Sequence, residues 1–329
     1  MDDAGCPVDD SSTAERYPRY LSLFASGELE ERARQAAELL HRCELCGRRC
    51  QADRSKSNHK AGCRTGMRAR VASFGPHHGE ESPLTGRRGS GTIFFSYCNL
   101  NCLYCQNYDI SQLGSGRDVT DIELAAFMIQ VQESGCHNIN LVSPTHVVPQ
   151  ILSALIVAIE SGLRLPIVYN TGGYDSLVTL QLLDGIVDIY MPDMKYSDAK
   201  VGKDLSGIAE YPTINQQAVK EMHRQVGDLV LDGNGIAVSG LLVRHLVLPG
   251  NLAGTDLTAS FLANQISANT YVNVMDQYRP CYKASELNQY PELSKRVTTA
   301  EYQHSLKQMM DAGLERFDDR VRFVRFLSF

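Results

Sequence analysis

The sequence predicts an α/β fold on a parallel sheet, and two observations carry that prediction. Beyond Gly91, short β-branched or aromatic runs alternate six times with longer stretches of helical periodicity, the rhythm of strands joined by crossover helices. Each run also ends in polar, small or kinked residues, where parallel sheets carry their chemistry. Such a sheet has right-handed crossovers and is either doubly wound or curled into an incomplete barrel.

Residues 1 to about 14 (MDDAGCPVDDSSTA) are small and acidic without an apolar period, so a disordered start is expected. Helical spacing takes over from Tyr20 to Leu40, where ERARQAAELL sets charge on one side and Ala and Leu on the other, completing a first region over 1–40. Residues 41–85 are polar, rich in Gly and Arg, and carry Cys43, Cys46, Cys50 and Cys63. A segment of that composition buries too little carbon to fold alone, which makes a bound metal its expected organiser. Residues 86–285 hold the candidate strands GTIFFSY from 91, NINLVS from 138, LPIVYN from 165, IVDIYM from 186, LLVRHLVL from 241 and TYVNVM from 270. The amphipathic stretches between them, such as DIELAAFMIQVQESG, often close on the Gly expected at a helix end. Residues 286–329 add a helix (TTAEYQHSLKQMMDAGL), expected to cover the open side of the sheet, and a strand-like tail, VRFVRFLSF.

The 329 residues carry 32 Lys and Arg against 38 Asp and Glu, and this mild acidity argues against nucleic acid as the main partner. The longest apolar runs, such as Ala154 to Ile159, fall far short of the roughly 20 residues of a membrane-spanning helix. No basic-then-apolar signal opens the sequence, so a cytoplasmic protein without a membrane partner is expected. Seven of the ten cysteines fall into two clusters, a spacing that in a reducing compartment points to metal sites rather than disulfides. Cys6, Cys136 and Cys281 stand alone, and isolated thiols usually serve packing. His137, Met128, Met309 and Met310 also have the character of packing residues.

The stretch SYCNLNCLYCQNY at 96–108 places Cys98, Cys102 and Cys105 within eight residues and supplies no fourth thiol. Structural zinc and ordinary iron–sulfur clusters take four protein ligands, so the trio suggests a metal centre with one position free. The plainer alternative is a structural zinc knot completed by His146 or a distant thiol, although zinc sites favour paired CxxC ends. Upstream, Cys43, Cys46, Cys50 and Cys63 suit either structural zinc or an auxiliary [4Fe-4S] cluster, and the CxxC pair leans to zinc.

The CxxxCxxC spacing at the end of the first strand, with Tyr104 before the last cysteine, resembles the signature of the radical SAM superfamily. YNTGGY at 169–174 and DIYMPDMK at 188–195 are similar to loops of the pyruvate formate-lyase activating enzymes, and homologues of those enzymes also carry a Cys-rich segment ahead of the barrel. The resemblance covers roughly residues 40–285. It implies an incomplete (β/α)6 barrel in which Cys98, Cys102 and Cys105 hold a [4Fe-4S] cluster whose fourth iron takes S-adenosylmethionine. It further implies reductive cleavage to a 5'-deoxyadenosyl radical, with electrons from a donor such as flavodoxin or ferredoxin. On the same resemblance Thr171, Met191, Asp193 and Lys195, with Asn170 and Gly172 in the same turn, hold the methionine carboxylate, in part through a monovalent cation. Arg244, His245, Val247 and Pro249 of VRHLVLPG correspond to the residues that pack on adenine. Ser143 and Thr145 of SPTH stand where the family receives the amino group with Gly-Gly-Glu. Two further departures are Asn170, where the activases carry Asp, and Gly47, where a proline is expected.

Tyr278 and Cys281 follow the last strand and are the candidates to give or take a hydrogen atom, with Arg279 beside them to grip an anionic group. For Cys281 a packed thiol is the plainer expectation. His77, His78, Glu80 and Glu81 lie ahead of the first strand and are expected to solvate a surface; if they act, His78 with a carboxylate transfers a proton. The expected function is hydrogen abstraction from a small-molecule or peptide substrate. Activation of a glycyl-radical partner protein and a non-catalytic iron–sulfur or zinc sensor are the alternatives.

Overall fold

The structure, a computed structural model, describes residues 18–56 and 61–319. The stretches 1–14 and 321–329, expected to be a disordered start and a strand-like tail, fall outside the described residues. All six expected strands form: β2 (Ser90–Phe95), β4 (Ile139–Val142), β5 (Ile167–Thr171), β6 (Ile189–Pro192), β8 (Ala237–Leu246) and β9 (Tyr271–Met275). They pair in parallel in that order. Four further strands join them: β1 (Ala69–His77), β3 (Arg117–Val119), β7 (Val230–Leu231) and β10 (Arg316–Phe317). The sheet order is β10-β9-β8-β6-β5-β4-β2-β1-β3, with β7 antiparallel to β8. The protein is thus α/β with a mostly parallel central sheet.

Strand β1 falls inside the stretch expected to be an irregular metal module. It runs antiparallel to β2, pairing Phe74 with Ile93 and Gly75 with Thr92. Ala69 and Val71 are buried in alternation, but Gly75-Pro76 and the polar run after it conceal the period. The segment after β1 folds back against the sheet: Leu84 packs with Val168 and Met191, and the Ser82 amide donates to Asp318 Oδ2 at 3.0 Å.

The crossovers are helices because their apolar residues recur at helical spacing and their starts are capped. Thr120 and Glu123 form a reciprocal capping box at Asp121–Glu133, and Ser176 caps Leu177–Leu183. Val148–Glu160 and Tyr211–Val226 carry Pro in their first turn, where its missing N–H costs nothing. Thr299–Asp311 lies on the helix-covered side of the sheet, where Tyr302, Leu306 and Met309 join the large core. It packs beside Thr255–Phe261, its Tyr302 hydroxyl donating to Val274 O at 3.0 Å, and leads into β10 as one more helix and strand.

Strand period sorts the side chains into two sets. Ile167, Tyr169, Val243 and Val274 join the large core beneath the helices, whereas Val168, Leu242 and Tyr271 belong to a smaller core on the opposite face. That second face, near the carboxyl ends of the strands, carries the cavity described next. Among the described residues no helix is long and apolar enough to cross a membrane.

Candidate functional site

The loop after β2 holds its shape through backbone that few residues adopt: Tyr97 and Asn101 have φ of 67° and 62°. Neighbouring elements clamp it. Asn99 Nδ2 donates to Tyr174 O at 3.0 Å, the Leu103 amide to Leu205 O at 2.9 Å, and the Arg48 guanidinium to the carbonyls of Asn99 and Leu100. Each sulfur meets its own polar neighbour. The Leu100 amide points at Cys98 Sγ (3.4 Å), the Ser206 hydroxyl at Cys102 Sγ (3.1 Å), and Ser111 Oγ lies 3.1 Å from Cys105 Sγ. All three thiols line one cavity of about 380 Å³. Burial, reinforced by Cys102 and Cys105, pushes the Cys98 thiol up to about 12, so without a metal it stays protonated. Among the described residues, here and at the upstream cysteines alike, no three His, Cys, Asp or Glu side chains stand grouped as a metal site.

The loop after β5 supplies the opposite wall. A Cβ on Gly172 would lie 2.5 Å from Leu100 Cδ1, and Gly173, at φ 73°, would press its Cβ to 2.4 Å from Asp193 O. Position 173 therefore requires glycine, whereas a Cβ at 172 would have to displace the Leu100 side chain. Below the turn a buried carboxylate gathers three hydroxyls: Thr145 Oγ1 (2.7 Å) and Tyr169 Oη (2.9 Å) donate to Asp175 Oδ1, and Thr171 Oγ1 donates to Oδ2 (2.8 Å). Burial raises the Asp175 carboxyl, against the pull of those hydroxyls. Asp175 was not anticipated, although its position four residues after Thr171 in a turn sequence was a usable signal.

The loop after β6 brings a charged network. Lys195 Nζ lies 2.7 Å from Asp193 Oδ2, while Arg244 Nε and Nη2 each lie 2.8 Å from Asp193 Oδ1. Burial alone would raise the Asp193 carboxyl, but Arg244 and Lys195 outweigh it and hold it below the usual range. Burial works against the Lys195 and Arg244 charges, and Asp193 restores both, raising each group above its ordinary value.

The cavity therefore collects Ser143, Asn170, Thr171, Gly172, Asp193, Lys195 and Arg244 around the thiols, with Ser143 in left-handed backbone at φ 59°. His77, Glu80 and Glu81, expected on a surface, line it as well, and the buried Glu81 accepts from Asn273 Nδ2 at 2.7 Å; His78 is exposed.

Other named residues lie elsewhere. Thr145 is buried beneath the turn, and Met191 packs with Ile189 and Leu242. Val247 lies in the core under the helices. His245, next to Arg244 on β8, is buried with Nδ1 donating to Met194 O (2.8 Å) and Nε2 accepting from Thr255 (2.9 Å). Pro249 is buried in a 3₁₀ turn. Tyr104 is buried with its ring 5.9 Å from that of Tyr278, whose hydroxyl donates to Leu293 O at 2.7 Å. Cys281 is half-buried and Arg279 exposed, and neither lines the cavity. His146 is buried with Nε2 on Ser96 O at 2.9 Å. Cys136, Met128 and Met309 are core residues, and Met310 packs against them.

The upstream cysteines sit in a lobe docked on the loop after β5. Cys46 and Asp175 form an antiparallel backbone β-bridge, the Gly47 amide donates to Tyr174 O (3.2 Å), and Thr179 Oγ1 donates to Leu45 O (2.9 Å). Proline at position 47 would lose the first of these hydrogen bonds, which accounts for the glycine. Cys43, Cys46 and Cys63 are buried and Cys50 half-buried, all as free thiols.

No protein-family model matches the chain. It is 31% identical over 281 residues to the uncharacterized protein MJ0674 of Methanocaldococcus jannaschii, a match covering 83% of this chain and 75% of that protein. At that identity over that share of both sequences, the chain belongs to the family of the Methanocaldococcus jannaschii protein.

Proposed function

We propose that the chain is a radical SAM enzyme: the sheet forms an incomplete (β/α)6 barrel, and Cys98, Cys102 and Cys105 hold a [4Fe-4S] cluster beside S-adenosylmethionine. The observation that carries this reading is that one cavity is lined by all three thiols and by the Asp193, Lys195 and Arg244 network. The residues fit the group. Three soft donors on one loop leave a fourth metal position facing the void, and the bare Gly172 keeps the facing wall clear.

When bound, the cluster and its cosubstrate supply reductive carbon–sulfur cleavage and a radical able to take hydrogen from a C–H bond. The chain's own part is positioning and charge. Lys195 and Arg244 place two positive charges around Asp193 beside the thiols, where they can offset thiolates and a carboxylate. The Leu100 N–H and the Ser206 hydroxyl direct hydrogen-bond donors at two sulfurs and the Ser111 hydroxyl lies against the third, which suits electron-rich sulfur. Phe94, Val142 and Met275 form the apolar lining that limits water. Glu80, Glu81 and Asn273 offer a polar wall to an unidentified small molecule or peptide.

The test is anaerobic. Wild type and a Cys98→Ala, Cys102→Ala, Cys105→Ala variant are reconstituted with iron and sulfide, reduced with dithionite, and assayed for 5'-deoxyadenosine. Wild type is expected to cleave S-adenosylmethionine and the variant to be inert at unchanged far-UV circular dichroism. A cluster-loaded wild type that leaves the cosubstrate intact would sink the proposal.

A further inference from the structure

We infer that Cys43, Cys46, Cys50 and Cys63 form a second, closed metal–thiolate centre whose counter-ion is the buried guanidinium of Arg54. This goes beyond the function proposed above and does not depend on it.

No three of these thiols stand in ligating geometry, but the fold of the segment brings Cys43, Cys50 and Cys63 into one small core with Cys46 on the adjoining turn. The Cys43 amide donates to Ala52 O (3.1 Å) and the Gln51 amide to Cys43 O (3.0 Å), which pairs the two arms around Cys46 and Cys50. Cys43 and Cys63 pack with Leu40, Leu45, Ala52 and Ala61, and Cys50 lies against them. Two leucines and two alanines are too small a core to hold a loop in one conformation. The same loop keeps Arg49, Gln51 and Arg64 in left-handed backbone, at φ of 40°, 55° and 54°. Some stronger tie must offset that strain, and no disulfide does so.

Arg54 indicates what the tie is. It is 3% exposed. Nη1 donates to His146 O at 2.6 Å, and Nη2 donates to Cys43 Sγ at 3.1 Å and Cys63 Sγ at 3.4 Å. Nε has no partner, and the groups that act most strongly on the guanidinium are the Cys63, Cys43 and Cys46 sulfurs rather than a carboxylate. A guanidinium keeps its charge in any protein, and a buried charge with no opposite charge is strongly unfavourable. Four protonated thiols, or two disulfides, would offer it no negative charge. A divalent metal on four thiolates, or a [4Fe-4S] cluster on the same four, displaces the thiol protons and carries a net charge of about minus two. The donors are all sulfur, which selects zinc or iron–sulfur over magnesium or calcium.

The full chain carrying Cys98→Ala, Cys102→Ala and Cys105→Ala isolates this centre, because only the upstream cluster remains. After anaerobic reconstitution it is expected to hold about one zinc, or about four irons with matching sulfide, and the count identifies the metal. A folded chain that retains neither metal, with the four thiols open to alkylation, overturns the inference. In the same background Arg54→Met is expected to weaken metal retention against a chelator by about 10- to 100-fold, and Arg54→Lys by less. Retention equal to the parent in Arg54→Met removes Arg54 from the role of counter-ion. Should the triple variant not fold, Cys43→Ser in the otherwise native chain is expected to lose this metal alone, and an unchanged total metal count counts against the centre.

Discussion

The two cysteine groups are hydrogen-bonded neighbours in opposite surroundings. Cys98, Cys102 and Cys105 line a cavity that also holds Lys195 and Arg244, and each sulfur meets a different polar group: Leu100 N–H, the Ser206 hydroxyl or the Ser111 hydroxyl. Cys43 and Cys63 line a small core, where a single guanidinium serves both sulfurs. A closed, four-thiol arrangement suits a structural site, and an open, three-thiol one suits exchange of a ligand. The difference teaches that cysteine count alone separates the two less well than what the sulfurs face.

The contrast breaks most severely at Arg244. Replacing it with Met leaves the Asp193 carboxylate with Lys195 as its one remaining cation, in a buried setting. Half-unpairing a buried ion network costs about 3 kcal/mol. The loss should appear in urea unfolding at neutral pH and in weaker S-adenosylmethionine binding, with the metal of the upstream centre untouched. The Asp193 contribution has a definite sign: a carboxyl held below its ordinary value stabilises the fold above about pH 4, and that share disappears on acidification. Equal urea midpoints for Arg244→Met and wild type would remove the network from the account of the cavity.

Acid should weaken both regions together, because each rests on a buried neutral histidine. His245 holds Met194 between Asp193 and Lys195, and the His146 carbonyl holds Arg54. Burial pushes both imidazoles down to about 4. At pH 7 the folded chain keeps both neutral and the unfolded chain protonates only a minor fraction of them. Below about 6.5 the unfolded chain takes up protons first, so stability falls between about pH 6.5 and 4, by about 2 kcal/mol per histidine at pH 5. Urea titrations at pH 7 and 5 check this, and His245→Gln should flatten its share of the slope. A wild-type profile that is level over that range contradicts the assignment.

Much of this was legible in the residues, and the failures have physical causes. The strands declared themselves because β-branched runs of the right length alternate with helical periods, and Thr171, Asp193, Lys195 and Arg244 stand at strand ends that point to one cavity. His245 and Val247 were grouped with Arg244 by adjacency in VRHLVLPG. Strand period forbids that grouping, since residues one and three positions apart face opposite sides. Tyr278 and Cys281 follow β9 in sequence, but the chain turns away, and the Tyr278 hydroxyl ends on Leu293 O. Arg54 and Glu81 were hidden for a different reason: each sits in a polar run that has the composition of a solvated surface, and their burial is set by partners roughly 90 and 190 residues away.

The smallest effect tests how the two regions touch. Gly47 lies against Tyr174, where a Cβ would come within 2.6 Å of Cζ of the ring and 3.0 Å of Ile214 Cδ1. Tyr174 stacks on Tyr211, with ring centroids 6.1 Å apart, and the Tyr211 hydroxyl donates to Gly172 O (2.9 Å) while accepting from the Lys195 amide (3.1 Å). A methyl group at position 47 therefore pushes on a line of rings that ends at the cavity wall. Overpacking of this kind costs about 1–3 kcal/mol. Gly47→Ala should lower the urea midpoint accordingly, and Gly47→Pro should lower it by about 1 kcal/mol more, because the Tyr174 carbonyl also loses one of its two donors. Both should weaken S-adenosylmethionine binding if the ring line carries the displacement to Lys195 and Gly172. Lower stability with unchanged affinity would mean that the cysteine lobe braces the fold and leaves the cavity mechanically independent.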